Sequence, residues 1–517
     1  MGSVLRPPFP NVSAPKVAEL AAKGSFETLW AAFSQGQREP DDDWRAREYG
    51  YLAGGPVQLD HAGFTPACES LLRQLQGLLV APMGGAGLGQ RSARVAEVRE
   101  RAQRAVLEHV GASAATYQVV FVPGAAAAAK LVAEAYPFSR AGRLLLSADN
   151  HNAVGGMRVL ARARGAPVGY VPLDGRSLRL CADKLRATLA EQGPRRRFGA
   201  RWRSAAAPGH LFAFPALSNF SGVAHPLSFV SDAQRWGWDV VLDATTFAAS
   251  NRLDLGQVAP DFVLLSFAEL LGYPVTAGCL LARKAALAKL QRPWFAGGSA
   301  AAVSVVCREH ALCDGAAGFE DGPGDLFGLE AVAIGLEHLR ALDFGRTGRR
   351  LGRLTGWLLE MAGALRHTNG APVVRVFGPP ELEARGPVVA LSVLGPDGSA
   401  LDPRLVQRLA AAAGLTLGAG WFDNPGAFEA AFGVEAAAAA WAFAGRPPQS
   451  FARYAQALGV PPGVVRISLG PASDFRDVFR ALDFLRGFVD RATATASPSL
   501  PERPAHLWAP GPRAGPP

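Results

Sequence analysis

Lysine is nearly missing from this chain. Of its 53 basic side chains only six are lysine (Lys16, Lys23, Lys130, Lys184, Lys284 and Lys289), so chemistry that needs a primary amine has few places to occur. Cysteine is as sparse. Cys68, Cys181, Cys279, Cys307 and Cys313 form no CxxC pair and share no ligand spacing with histidine, which points away from a metal site and toward a reducing compartment. Every long apolar run is broken by Gly, Pro or charge before the roughly 18 residues that a membrane span needs. The opening "MGSVLRPPFP" lacks the apolar region of a signal peptide, and Arg6 stands where a myristoylation motif has Ser or Thr. A cytoplasmic protein without a membrane partner is the default expectation, with an organelle transit peptide left open.

What is present is ordinary for a globular protein: 49% hydrophobic and 19% charged residues over 517 positions, enough for two or three domains. The net charge of +9 is modest. Its densest basic run, "PRRRFGARWR" at 194–203, reads either as a contact for phosphates or an acidic partner or as a solvated insertion loop. No nucleic-acid-binding motif accompanies it, so no nucleic-acid partner is expected.

Residues 1–45 read as an arm with an amphipathic helix around "SFETLWAAFSQG". From Gln58 onward short β-rich runs alternate with helical ones: "YQVVFV", "RLLLSA", "VGYVPL", "HLFAFPA", "DVVLDAT" and "DFVLLSF", with helices such as "AAAAAKLVAEAY" between them. That alternation predicts an α/β domain with a mostly parallel sheet covered on both faces, over 46–335. A smaller α+β unit follows over 336–492, with strands near "VVALSVLG" and "VVRISLG" and a last helix in "DFRDVFRALDFLRGFV". The Ala-rich "AAFGVEAAAAAWAFAG" reads as an inserted helix, and the Pro/Ser/Ala-rich tail at 493–517 as disordered.

Several stretches are long and unusual: "VQLDHAGFTPA" (57–67), "GAAAAAKLVAEAYPF" (124–138), "HNAVGGMR" (151–158) and "PALSNFSGVAHPLSF" (215–229). To these add "VLDATTFAASNRLDL", "WFAGGSA", "FEDG", "DNPGA" and "VRISLG". In this order they resemble the class V aminotransferase branch of the fold-type-I enzymes of pyridoxal phosphate (PLP). Within it the likeness is to the cysteine-desulfurase-like N-terminal domain of eukaryotic molybdenum cofactor sulfurases. It covers roughly residues 45–490, and no counterpart of those sulfurases' C-terminal domain is expected. The resemblance implies a large domain with a seven-stranded sheet sandwiched by helices, plus a smaller α+β domain.

It also implies roles for particular residues. Gly124 corresponds to the phosphate-cradle turn, where backbone N–H groups and a helix N-terminus hold an anion. His151 corresponds to a ring-stacking histidine, or is simply a helix cap. Asp243 matches the aspartate that pairs with the pyridinium nitrogen, or ends its strand as a cap. Thr246 matches a contact to the ring hydroxyl, Ser266 a phosphate-contacting serine and Asn219 an asparagine beside the cofactor. Gly297, Gly298 and Ser299 match a loop that reaches the phosphate of a neighbouring subunit, which implies a dimer. Arg466 matches the arginine that grips the substrate carboxylate, or is a salt-bridged strand-end residue.

Two positions break the pattern. In "DFVLLSFAELLGYP" the third residue after Ser266, the family's Schiff-base lysine, is Glu269. In "GAGWFDNPGAFEAAFG" the persulfide cysteine is replaced by Phe428. Ala125 and Ala126 also replace hydroxyl residues after Gly124. Neither a carboxylate nor a phenyl ring can do the missing chemistry. The expectation is therefore a non-catalytic member with a regulatory or scaffold role, as a homodimer or paired with a related subunit. The alternative is an enzyme that holds PLP or pyridoxamine phosphate (PMP) non-covalently, with Glu269 as general base. An active sulfurtransferase would need a lysine and a cysteine from elsewhere in the chain.

Overall fold

The computed structural model describes residues 14–34, 42–80, 88–194, 209–322, 325–340, 344–445 and 447–491. The basic run at 194–203, apart from Pro194, and the tail at 493–517 lie outside the described residues.

The main sheet has seven strands: β1 (Tyr117–Val122), β2 (Arg143–Ser147), β3 (Val168–Val171), β4 (His210–Pro215), β5 (Asp239–Asp243), β6 (Phe262–Ser266) and β7 (Gly278–Arg283). Their spatial order is β1-β7-β6-β5-β4-β2-β3. Only β7 runs antiparallel to its neighbours; the other pairs are parallel. The expected mostly parallel seven-stranded sheet is therefore what forms.

Side-chain alternation explains why these segments are strands. Leu144, Leu146, Leu211, Ala213, Val241, Phe262, Leu264 and Leu280 point to one face, where the helix Ala125–Ala135 packs through Ala128, Ala129, Val132 and Ala133. Their sequence neighbours Leu145, Phe212, Phe214, Val240, Leu242, Val263, Leu265 and Leu281 point to the other. A sheet buried on both sides needs apolar residues at every position, which is why these runs show no polar alternation.

The second unit is a four-stranded antiparallel sheet in the order β8-β9-β11-β10, formed by β8 (Val374–Phe377), β9 (Val388–Val393), β10 (Gly418–Gly420) and β11 (Val464–Ser468). The helices Phe344–Ala364, Pro403–Ala412 and Phe475–Arg486 bury their apolar residues against it. The amphipathic segment read from the sequence is the helix Phe26–Ser34, preceded by a second helix, Ala14–Lys23, that was not anticipated. Val17, Ala21, Leu29 and Phe33 of these helices join the same core as Trp357 and Phe475, so the arm is packed onto this unit. The Ala-rich segment forms Ala436–Phe443, with no buried residue. None of the described helices is long and apolar enough to cross a membrane.

Candidate active site

The parallel strands β2, β4, β5 and β6 all end at the same edge of the sheet, where ligands of open α/β sheets usually bind. Their C-terminal ends deliver Asp149 and His151, Asn219, Asp243 and Thr246, and Ser266 and Glu269. Opposite them the small unit contributes Arg466 from β11 and the turn before the helix Pro425–Phe432.

Gly124 caps the helix Ala125–Ala135 with φ +85°, a conformation that a side chain disfavours. Gly278 packs so closely on it that a Cβ there would lie 2.5 Å from the Gly124 Cα. A Cβ on Gly124 itself would meet nothing nearer than the Thr276 carbonyl at 4.0 Å, so the turn faces open space. The geometry of an anion-binding turn is thus present, without the hydroxyls that Ala125 and Ala126 cannot supply.

His151 caps its helix: Nδ1 accepts the Ala153 N–H at 3.1 Å, and Nε2 faces the Asp423 carboxylate at 3.9 Å. Asp243 takes the Thr245 N–H at 3.1 Å. The cap left open for His151 is present, with its ring partly exposed at the edge, whereas the helix Thr245–Ala248 is capped at Ala244 without a side-chain bond. Ser266 begins the helix Phe267–Leu271 without using its hydroxyl as a cap.

Glu269 sits in the first turn of that helix. The Thr246 hydroxyl donates to its carboxylate at 3.5 Å, and the Thr65 hydroxyl donates to its backbone carbonyl at 3.0 Å. A cavity of about 30 Å³ beside it is lined by His61, Thr246, Ser250, Ser468 and Gly470, room for one or two waters. The residue shows a little surface there, but protein encloses the carboxyl itself. Burial pushes it up to about 8, with the Asp243 charge adding to the rise and Arg466 and Thr246 opposing it.

Arg466 is almost fully buried and already engaged. Nε and one terminal nitrogen donate to Asp60 at 3.1 and 2.8 Å, the other terminal nitrogen donates to the Asn219 carbonyl at 3.1 Å, and the guanidinium lies 4.0 Å above the Phe422 ring. The salt-bridged reading of this arginine describes its geometry. Asn219 in turn donates to the Phe422 carbonyl at 2.7 Å.

Phe428 is fully buried, within a cluster of Phe432 and Phe451 at ring distances of 4.8 Å. The turn before it is fastened from three sides. Asn424 caps the helix and donates to Asp149 Oδ1 at 2.7 Å and to Asn219 Oδ1 at 3.0 Å. Phe422 and Asp423 both hold positive φ, and the Asn152 N–H donates to the Asp423 carbonyl at 2.7 Å. Gly426 is needed here because a Cβ would come 2.1 Å from the Ala148 carbonyl.

Gly298 and Ser299 do not join this cluster. The Ser299 hydroxyl closes its own turn on Ala296, and a Cβ on Gly298 would strike Gly322 at 2.5 Å. The antiparallel hairpin that follows, Ala300–Val303 with His310–Leu312, leaves Val305 and Val306 almost wholly exposed.

All six lysines are exposed: Lys16, Lys23, Lys130, Lys184, Lys284 and Lys289. None offers an amine to the sheet edge, so a covalently held PLP does not fit these residues.

Sequence reading missed the buried network around Asp149. Besides Asn424, this carboxylate accepts from the Ser218 hydroxyl at 2.7 Å and meets His225 Nε2 at 2.8 Å, all of them buried. It also missed Asp60 as the partner of Arg466. The signal was present, since Asp60, Ser218 and His225 stand inside the stretches that carry the resemblance.

The profile described as aminotransferase class-V matches residues 57–195 and 203–419. The chain belongs to the class V aminotransferase family. Among curated class V relatives, it is 31% identical to the molybdenum cofactor sulfurase of Arabidopsis thaliana over 85% of this chain and 57% of that protein. It is 31% identical to that of Bos taurus over 92% of this chain and 54% of that one. The chain thus spans about half the length of the curated relatives it matches. Among solved structures, the apo cysteine desulfurase of Thermococcus onnurineus NA1 superposes with a TM-score of 0.67 at 19% identity, over 88% of this chain and 99% of that one. A cysteine desulfurase of Escherichia coli gives 0.65 at 20%, covering 87% and 98%. A third, a lysine-to-alanine mutant described with glycine covalently linked to its PLP cofactor, gives 0.62 at 14%, covering 86% and 99%. These likenesses establish the fold-type-I architecture for the class V chain described here.

Proposed function

We propose that this class V aminotransferase-fold protein does not perform cysteine desulfuration and instead works as a regulatory or scaffold subunit. The observation that carries this reading is Glu269 in the lysine position, hydrogen-bonded by Thr246, while every lysine of the chain is on the surface. Phe428 supports it: a fully buried ring stands where sulfur would have to be exposed to a substrate. The subunit pairs with a second copy or a related subunit through the exposed hairpin carrying Val305 and Val306.

PLP, when bound, supplies an electron sink to its enzymes. In this chain the Gly124 turn and Asp243 would hold it, reversibly, with Glu269 at the ring. A second reading rests on the enclosed Glu269 carboxyl beside Thr246 and a small cavity, where burial pushes it up to about 8, a range suited to moving protons near neutral pH. On that reading the protein turns over PMP or PLP adducts with Glu269 as general base.

The test is to add PLP and PMP to the purified protein, record the visible spectrum, treat with borohydride and assay alanine and sulfide release from cysteine. No aldimine band, no pocket adduct and no sulfide are expected. A borohydride-fixed cofactor at the sheet edge, or cysteine turnover, would overturn both readings. Tight reversible PMP binding would favour the second over the first.

A further inference from the structure

Away from the sheet edge, three metal-ligating side chains converge from separate elements. Glu48 ends the helix Asp42–Glu48, Cys68 immediately precedes the helix Glu69–Val80, and His338 lies in the last turn of the helix Leu326–Arg340. One donor atom from each lies within 4.8 Å of the other two, and Glu48 and Cys68 are buried. Ser70 stands among them: its N–H donates to Glu48 at 3.1 Å, and its hydroxyl lies 3.4 Å from His338 Nε2 and 3.7 Å from Cys68 Sγ. A cavity of about 20 Å³ borders Cys68 and His338, large enough for one water. Trp44 lines the same cavity, and its buried indole N–H has no hydrogen-bond partner among the described residues.

We propose that Glu48, Cys68 and His338 form a zinc(II) site, with a water in the adjoining cavity as fourth ligand. The donor set selects the metal. One thiolate, one imidazole and one carboxylate suit zinc, whereas calcium and magnesium require oxygen shells. Zn²⁺ with one thiolate and one carboxylate is a neutral unit, and the Arg47 guanidinium that also donates to Glu48 at 3.1 Å is largely exposed, so solvent screens its charge. A tetrahedral zinc keeps its ligand atoms about 3.5 Å apart, so separations of at most 4.8 Å require only a small closure of the three groups. Binding displaces the Cys68 thiol proton to solvent as the sulfur–zinc bond forms. The bound water would lie within reach of the unpartnered Trp44 N–H. The metal would then clip the start of the large domain to the long helix Leu326–Arg340.

Sequence spacing could not reveal this site, because the donors come from distant segments. The test uses the full chain, with zinc quantified by elemental analysis after dialysis and Co²⁺ as a spectroscopic probe. About one metal per chain is expected, with a thiolate-to-cobalt charge-transfer band and a higher Tm with zinc. Cys68→Ser and His338→Gln should each reduce stoichiometric uptake to near zero and abolish the band and the Tm gain. Cys181→Ser should leave all three unchanged. Should a variant fail to fold, the wild-type cobalt spectrum still decides the matter. Absence of stoichiometric metal from folded wild type, or uptake unaltered by both ligand substitutions, would overturn the proposal.

Discussion

The Asn424 amide meets the Asp149 carboxylate at 2.7 Å, joining the turn before Phe428 to the end of β2 across the two units. Both residues are fully buried, and the same carboxylate also receives Ser218 and His225. The network therefore fixes the small unit against the large one at the sheet edge.

Asp149→Ala leaves an amide, a hydroxyl and an imidazole buried without their shared acceptor. Unsatisfied buried groups on this scale cost about 3–5 kcal/mol. Urea unfolding should show a loss of that size, with Asp149→Asn retaining part of the stability. A change below about 1 kcal/mol in Asp149→Ala would show that the network contributes little.

Phe428→Cys places a thiol where the proposed reading has the persulfide position but removes a ring from a filled cluster. The loss is expected at about 3 kcal/mol, near the lower end of Phe-to-Ala truncations. The substitution alone should yield no sulfide from cysteine, because no lysine reaches the site. Thermal unfolding and a sulfide assay check the two halves separately.

The Glu269 carboxyl is raised to about 8 from an ordinary 4.5. In the folded state it keeps its proton over a range where the unfolded chain has lost it. Stability is therefore full below pH 4.5 with respect to this group and falls as pH rises toward about 8, by an upper bound on the order of 5 kcal/mol. Glu269→Gln should flatten that part of the pH–stability curve. Parallel curves for variant and wild type would contradict this reading of the site.

Glu269→Lys places an amine beside Asp243 and Thr246. If the Gly124 turn still holds a phosphate, this variant with PLP should gain a visible aldimine band that borohydride fixes at residue 269. Failure to gain it in a folded variant would indicate that the pocket has lost more than its lysine.

How far the sequence could be read depends on how local the information is. β2, β4, β5 and β6 were legible because burial on both faces demands unbroken apolar runs, and those runs are visible in a few residues. Ser266 ends β6, and Glu269 lies in the short helix Phe267–Leu271 that follows it, a helix with too few residues to show a period of its own. The stretches that hold Ser218 and His225 stood out, but their convergence on Asp149 was not legible, because the partners lie 69, 76 and 275 residues away. Arg466 could be singled out, but Asp60, 406 residues distant, decides how it is held. The helix Ala14–Lys23 is amphipathic in its own right, but the residues that bury its apolar face belong to the far end of the chain.

The surface position of all six lysines has a consequence for amine chemistry in general. Aldehydes, acylating agents and cross-linkers directed at amines meet this protein only from outside. A pyridoxal adduct formed on it at high concentration would map to peripheral peptides such as that of Lys130, whose amine rests 3.5 Å from Glu134, or Lys289, paired with Asp239. Such labelling would report the shape of the exterior and leave the interior chemically silent.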